Sequence, residues 1–130
     1  MIVVDTSAIV AILLEELEGT RFSLILSGAA DVQISAVTDY ETRLIALHRR
    51  GPLLVEKYEE LVSSGGFSIA TFDQVQSGLA FAAYRQYGKG NHSARLNFAD
   101  CAAYALAKSL DAPLLFKGND FAQTDVRVAL

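Results

Sequence analysis

Asp5, Glu41, Asp100 and Asp120 are far apart in the chain, but a coarse reading of the elements around them brings all four to one edge of one sheet. Convergent carboxylates without a counter-ion repel one another and push protonation upward, an arrangement that makes sense when a divalent cation neutralises them. Ligands that are all oxygen select a hard cation, Mg²⁺ or Mn²⁺, over zinc or copper.

The elements come from patterning. Ile2-Val3-Val4 is a short β-branched run suited to a buried strand, and Asp5-Thr6-Ser7 follows it directly, ahead of an apolar helical stretch from Ala8 to Glu16. Val32 to Ser35, Phe67 to Phe72 and Pro113 to Lys117 read as further strands, with Val126-Arg127-Val128 as a possible fifth. Helical patterns separate them. Alternation of this kind predicts βαβ units: an α/β fold of three layers, helices on both faces of a mostly parallel sheet of four to five strands. Helices begin at the carboxyl edge of such a sheet, where ligands of open α/β folds bind. Asp5 ends the first strand, Glu41 and Asp100 fall near helix beginnings, and Asp120 follows the fourth strand in the loop after Gly118-Asn119.

Each acid also has a purely structural role open to it. Thr38 to Glu41 has the spacing of a capping box, Asn97 to Asp100 offers a second, Asp5 or Ser7 can cap the first helix, and Asp120 can start a turn before Phe121. Capping accounts for each acid singly but not for their shared edge.

Composition favours one domain over residues 1–130. The chain is 52% apolar, enough for a core. Its longest apolar run, Ala8 to Leu14, is too short to cross a bilayer, and no charged leader with a cleavage pattern opens it, so a soluble, cytoplasmic protein is expected. The single cysteine, Cys101, forms no internal disulfide and reads as core packing beside Asp100. Net charge is −4, but once the four converging acids are set aside the remaining eleven acids match eleven bases. Arg85, Lys89, His92 and Arg95 crowd a stretch with no acid between Gly78 and Phe98. A basic rim beside an acidic pocket suits a phosphodiester held over metal ions; a solvated loop is the plainer alternative. Tyr84, Tyr87 and Phe98 could stack on bases or simply fill the core, and His48, beside Arg49-Arg50, reads as surface. Gly88-Lys89-Gly90 lacks the strand and the Lys-Ser/Thr ending of a phosphate loop.

Four segments in order, Ile2 to Ala8, Ile34 to Glu41, Tyr87 to Ala107 and Leu114 to Asp125, resemble a PIN-domain ribonuclease of the VapC toxin type, and the resemblance covers essentially the whole chain. It implies an endoribonuclease, the toxin of a toxin–antitoxin pair, with Mg²⁺ or Mn²⁺ held by Asp5, Glu41, Asp100 and either Asp120 or Asp125. It further implies that Thr6 orients Asp5, that Asn97 braces the Asp100 turn, that the protein is a homodimer, and that an antitoxin blocks the pocket. The competing reading is a non-catalytic dimeric module whose acids are helix caps and whose apolar first helix binds a protein. Receiver and haloacid-dehalogenase-like folds fit less well, because the first lacks its paired acid and central phosphoacceptor and the second its Asp-x-Asp.

Overall fold

The computed structural model describes residues 1–130. Its elements run β1 (Ile2–Val4), α1 (Thr6–Leu13), α2 (Gly19–Ser27), β2 (Val32–Ser35), α3 (Ala36–Arg50), α4 (Pro52–Ser64), β3 (Phe67–Ala70), α5 (Gln74–Tyr87), α6 (Phe98–Ser109), β4 (Leu114–Leu115) and a 3₁₀ turn (Phe121–Gln123). The strands form one parallel sheet in the order β3-β2-β1-β4, which puts β1 in the interior. Val3 pairs with Gln33 on one side and with Leu114 on the other.

Side chains alternate across this sheet, and the alternation builds the layers. Val3 and Leu114 enter a core with Ala83, Tyr87, Leu96, Tyr104, Phe116 and Phe121, beneath α5 and α6. Val4 and Leu115, one residue on, enter the opposite core with Ile9, Phe22, Ile34, Leu54 and Tyr58, beneath α1, α2 and α4. The result is the three-layer α/β/α fold that the sequence predicts.

Helix boundaries are set by caps at the carboxyl edge. Ser35 ends β2 and caps α3, its hydroxyl accepting from the Val37 amide at 3.1 Å. Away from that edge Asp73 caps α5 through the Gln76 amide at 2.9 Å, and Gln76 reaches Ser109 at the far end of α6. The chain turns from α3 straight into α4 at Gly51, whose φ of +86° a side chain would strain, and Pro52 opens α4 in the first turn, where its missing N–H costs nothing.

Several expectations are corrected. Val126 to Val128 is no fifth strand; its pairing with the sheet is a single bridge between Leu114 and Val128. With β4 just two residues long, nothing extends that edge into a longer ladder. α1 stops at Leu13 instead of Glu16, since Glu15 adopts a positive φ of 54°. The apolar stretch of α1 also does not need a partner molecule: Ala8, Ile9, Ala11 and Leu13 are buried within the chain itself. Thr38 to Glu41 forms no capping box, because α3 begins at Ala36 and both residues already lie inside it. No helix is long and apolar enough to cross a membrane.

Candidate active site

Asp5 is the most constrained of the four acids. It is 3% exposed, and its own amide donates to the Leu115 carbonyl at 2.9 Å, locking it between β1 and β4. As the N-cap of α1, its carboxylate accepts from the Ser7 amide at 3.0 Å and from the Ser7 hydroxyl at 2.7 Å. The Ser7 oxygen in turn accepts from the Lys117 amide at 3.0 Å. This line of bonds ties the loop after β4 to Asp5. The Lys117 ammonium anchors the outer end of the line on Glu16 at 2.9 Å and Glu18 at 3.2 Å.

Ser7, not Thr6, therefore orients Asp5. The Thr6 hydroxyl is buried and has no partner. The signal was in the spacing: an N-cap carboxylate reaches the amide two or three positions on, which is Ser7.

Asp100 is held by a true capping box. Its amide donates to the Asn97 side-chain oxygen and its carboxylate accepts from the Asn97 amide, each at 2.9 Å. Asn97 thus braces the Asp100 turn, as the resemblance implies. Glu41, half-buried in the second turn of α3, and Asp120, exposed at the start of the 3₁₀ turn, accept no hydrogen bond and form no ion pair through their side chains.

Electrostatics connect the four. Burial pushes the Asp5 carboxyl up to about 7; Asp100 and Glu41 add repulsion, against which the Ser7 bonds work. Asp100 is likewise raised by burial, with repulsion from Glu41 and Asp120 opposed by the Asn97 amide. Every one of the four acids repels at least one of the others, and no basic group offsets them. Asp125 stands apart. Its carboxylate accepts from the Tyr104 hydroxyl and, at 3.1 Å, from the Lys108 ammonium, and the Tyr104 bond first, with Lys108, holds it below the usual carboxylate range.

The oxygen-only donors, two of them without any partner, fit a divalent cation in kind. They are not drawn into a finished shell, since no three Asp, Glu, His or Cys groups are close enough to hold an ion as they stand. The repulsion among them is what a bound dication would oppose.

Around the acids, Arg85, Lys89 and Arg95 are exposed and make no ion pair. His92 is exposed too, but its Nδ1 accepts from the Ala94 amide at 2.9 Å and its ring lies edge-on to Tyr87, so it shapes the loop. Tyr87 is core, whereas Phe98 is 78% exposed two residues before Asp100. Cys101 is buried, and burial foremost, with Asp100 beside it, pushes its thiol up to about 11, which keeps it protonated.

A family model of the PIN domain matches residues 2–127. The chain belongs to the PIN-domain family. Within it the relatives are VapC ribonucleases: Ribonuclease VapC28 of Mycobacterium tuberculosis is 40% identical over 129 residues, covering 98% of this chain and 97% of the relative. Ribonuclease VapC36 of the same organism is 40% identical over 125 residues, 95% and 90% of the two chains. Among solved PIN-type structures, M. tuberculosis VapC20, described as a Sarcin-Ricin loop cleaving toxin, superposes with a TM-score of 0.81 across 100% of this chain and 98% of its own at 16% identity, a likeness of fold. FitAB bound to a DNA fragment superposes at a TM-score of 0.73 with 25% identity over 98% of this chain and 93% of its own.

Proposed function

We propose that this PIN-domain chain is a Mg²⁺- or Mn²⁺-dependent endoribonuclease, the toxin of a toxin–antitoxin pair, and that Asp5, Glu41, Asp100 and Asp120 form its metal-holding site. The observation that carries the reading is the mutual repulsion of four acids brought from four separate elements to one sheet edge with no protein cation among them. The names of the relatives supply the reaction class, ribonuclease. When bound, the cation would activate water and neutralise charge on a scissile phosphate.

The chain's own residues supply position and field. Ser7 and Asn97 fix the carboxylates of Asp5 and Asp100 through hydrogen bonds on the side of each acid that caps its helix. Glu41 and Asp120, with no partner to give up, can turn toward an incoming charge. Arg85, Lys89 and Arg95 would draw in the RNA backbone, and exposed Phe98 offers a ring to an unstacked base. A single-stranded or looped substrate suits such a pocket better than a duplex. Asp120 fits the fourth position better than Asp125, whose carboxylate is taken up by Tyr104 and Lys108.

The rival reading, a binding module with caps for acids, has support in Asp5 and Asp100, which do cap α1 and α6. Glu41 and Asp120 cap nothing through their side chains, and a capping role leaves them without a reason. Antitoxin binding is supported by structural neighbours described as a toxin–antitoxin complex and as FitAB. Self-association is supported by the apolar surface of α5 and the start of α6, where Phe81 and Phe98 are each more than 60% exposed beside a groove of about 470 Å³.

The test is Mn²⁺ calorimetry on the wild type and on Asp5→Asn, alongside cleavage of a structured RNA with and without EDTA. The proposal expects binding and cleavage together, both lost in the variant, and product ends carrying a 5′ phosphate and a free 3′ hydroxyl. Cleavage that survives EDTA, or cyclic phosphate ends, would overturn it.

A further inference from the structure

Only three buried side-chain oxygens in the chain lack a hydrogen-bond partner: those of Thr6, Thr38 and Glu18. Glu18 still has the Lys117 ammonium at 3.2 Å, which leaves two threonine hydroxyls with nothing. A hydroxyl removed from water and left unpaired costs about 1–3 kcal/mol, so native folds rarely keep one without a use. Both orphans sit in the first turn of a helix that starts at the carboxyl edge, Thr6 next to Asp5 and Thr38 in α3.

Thr38 is the more telling. It is 0% exposed, and although its backbone carbonyl accepts from the Thr42 hydroxyl at 2.8 Å, its own hydroxyl makes no bond. Position i+3 from it is Glu41, which lies on the same side of α3, within ordinary reach of a neighbouring helical side chain. Glu41 in turn has no partner. A fully buried donor without an acceptor and a half-buried acceptor without a donor lie one turn apart, beside Asp5 and Asp100, whose charge pushes Glu41 away.

We propose that Thr38 is a positioning residue for Glu41: its hydroxyl is held in reserve in the metal-free chain and donates to the Glu41 carboxylate once a divalent cation relieves the repulsion and draws that carboxylate inward. The inference rests on the metal-site reading above. It differs from an ordinary buried hydrogen bond in one measurable way, because the bond exists only in the loaded state. Removing the hydroxyl while keeping the shape costs the metal-free fold nothing and costs the metal-bound state its partner.

Thr38→Val and Thr38→Ser are the variants, read by thermal melting in EDTA and by Mn²⁺ calorimetry. Thr38→Val is expected to melt in EDTA at the wild-type temperature or above, to bind Mn²⁺ about ten-fold more weakly, the usual scale for a group that orients a metal ligand, and to be restored by Thr38→Ser. A lower melting temperature in EDTA would show an ordinary structural bond and overturn the proposal. Wild-type Mn²⁺ affinity in Thr38→Val would also overturn it and leave the metal site standing. If the wild type itself binds no Mn²⁺ and Asp5→Asn behaves identically, the metal-site reading fails, and this inference with it.

Discussion

At the scale of single residues, the acids divide into those already satisfied and those left waiting. Asp5 and Asp100 are bonded but strained by burial and by each other. Asp5→Asn or Asp100→Asn is expected to abolish RNA cleavage while raising the stability of the metal-free protein, because a carbonyl oxygen still accepts the Ser7 or Asn97 bonds and the repulsion disappears. The pH dependence has a definite sign. Unfolded Asp5 releases its proton near its ordinary 3.8, while the folded protein keeps it up to about 7. The favourable contribution is complete below the lower value and drains away as pH rises through the upper one, so the metal-free wild type is expected to melt at a higher temperature at pH 5 than at pH 8 by more than Asp5→Asn does. Equal melting shifts for the two would contradict the burial and repulsion at Asp5.

The pair Asp120 and Asp125 separates activity from stability. Asp120→Ala is expected to cost most of the cleavage activity with little change in melting. Asp125→Ala removes the acceptor for Tyr104 and Lys108, and is expected to cost about 1–2 kcal/mol in denaturant unfolding while keeping activity. The sequence alone left these two open, since both follow the fourth strand within a few residues. What separates them is that the Asp125 carboxylate finds Tyr104 and Lys108 on α6 while that of Asp120 finds no partner, a matter of tertiary packing that spacing does not carry.

At the scale of elements, β1, β2 and the Asn97 cap were legible because each is written in local sequence: a β-branched run, an alternating pattern, and a box of side chain and amide three residues apart. Asn97→Ala is expected to cost about 1 kcal/mol of stability and to lower activity by more than that loss of fold explains, since the Asn97 side chain accepts from the Asp100 amide and so fixes the turn that presents the Asp100 carboxylate. A proportionate fall in both would show a cap and nothing more. Elsewhere local signals misled. Thr38 and Glu41 have the spacing of a cap, but Ser35, three residues earlier, ends β2 and takes that role, so the strand decides where the helix begins. The fifth strand failed because β4 is two residues long and offers too little ladder for Val126 to Val128 to extend. Thr6 is what the resemblance implies for orienting Asp5, and the Lys117 amide that completes the Ser7 bridge in its place comes from a segment more than a hundred residues away.

At the scale of the whole molecule, the apolar face to be covered is on α5, not α1. Apolar residues of α1 are consumed by two neighbouring layers, and the sequence alone does not show which apolar helix the fold leaves bare. Phe81→Glu is expected to turn a homodimer into a monomer in light scattering without lowering the melting temperature of the fold by more than a few degrees. A wild type that is monomeric at micromolar concentration would set this face aside as an interface between copies.

The interior position of β1 also orders the assembly of the candidate site as the chain is made. The strand that leads into Asp5 is closed on one side only when Leu114 and Leu115 arrive, more than a hundred positions after it, and the Lys117 amide that steadies Ser7 comes later still. Pairings of such long separation are slow to form compared with the local contacts of the helices between them. A growing chain therefore carries Asp5, Glu41 and Asp100 before the β4 pairing that holds Asp5 in place can form.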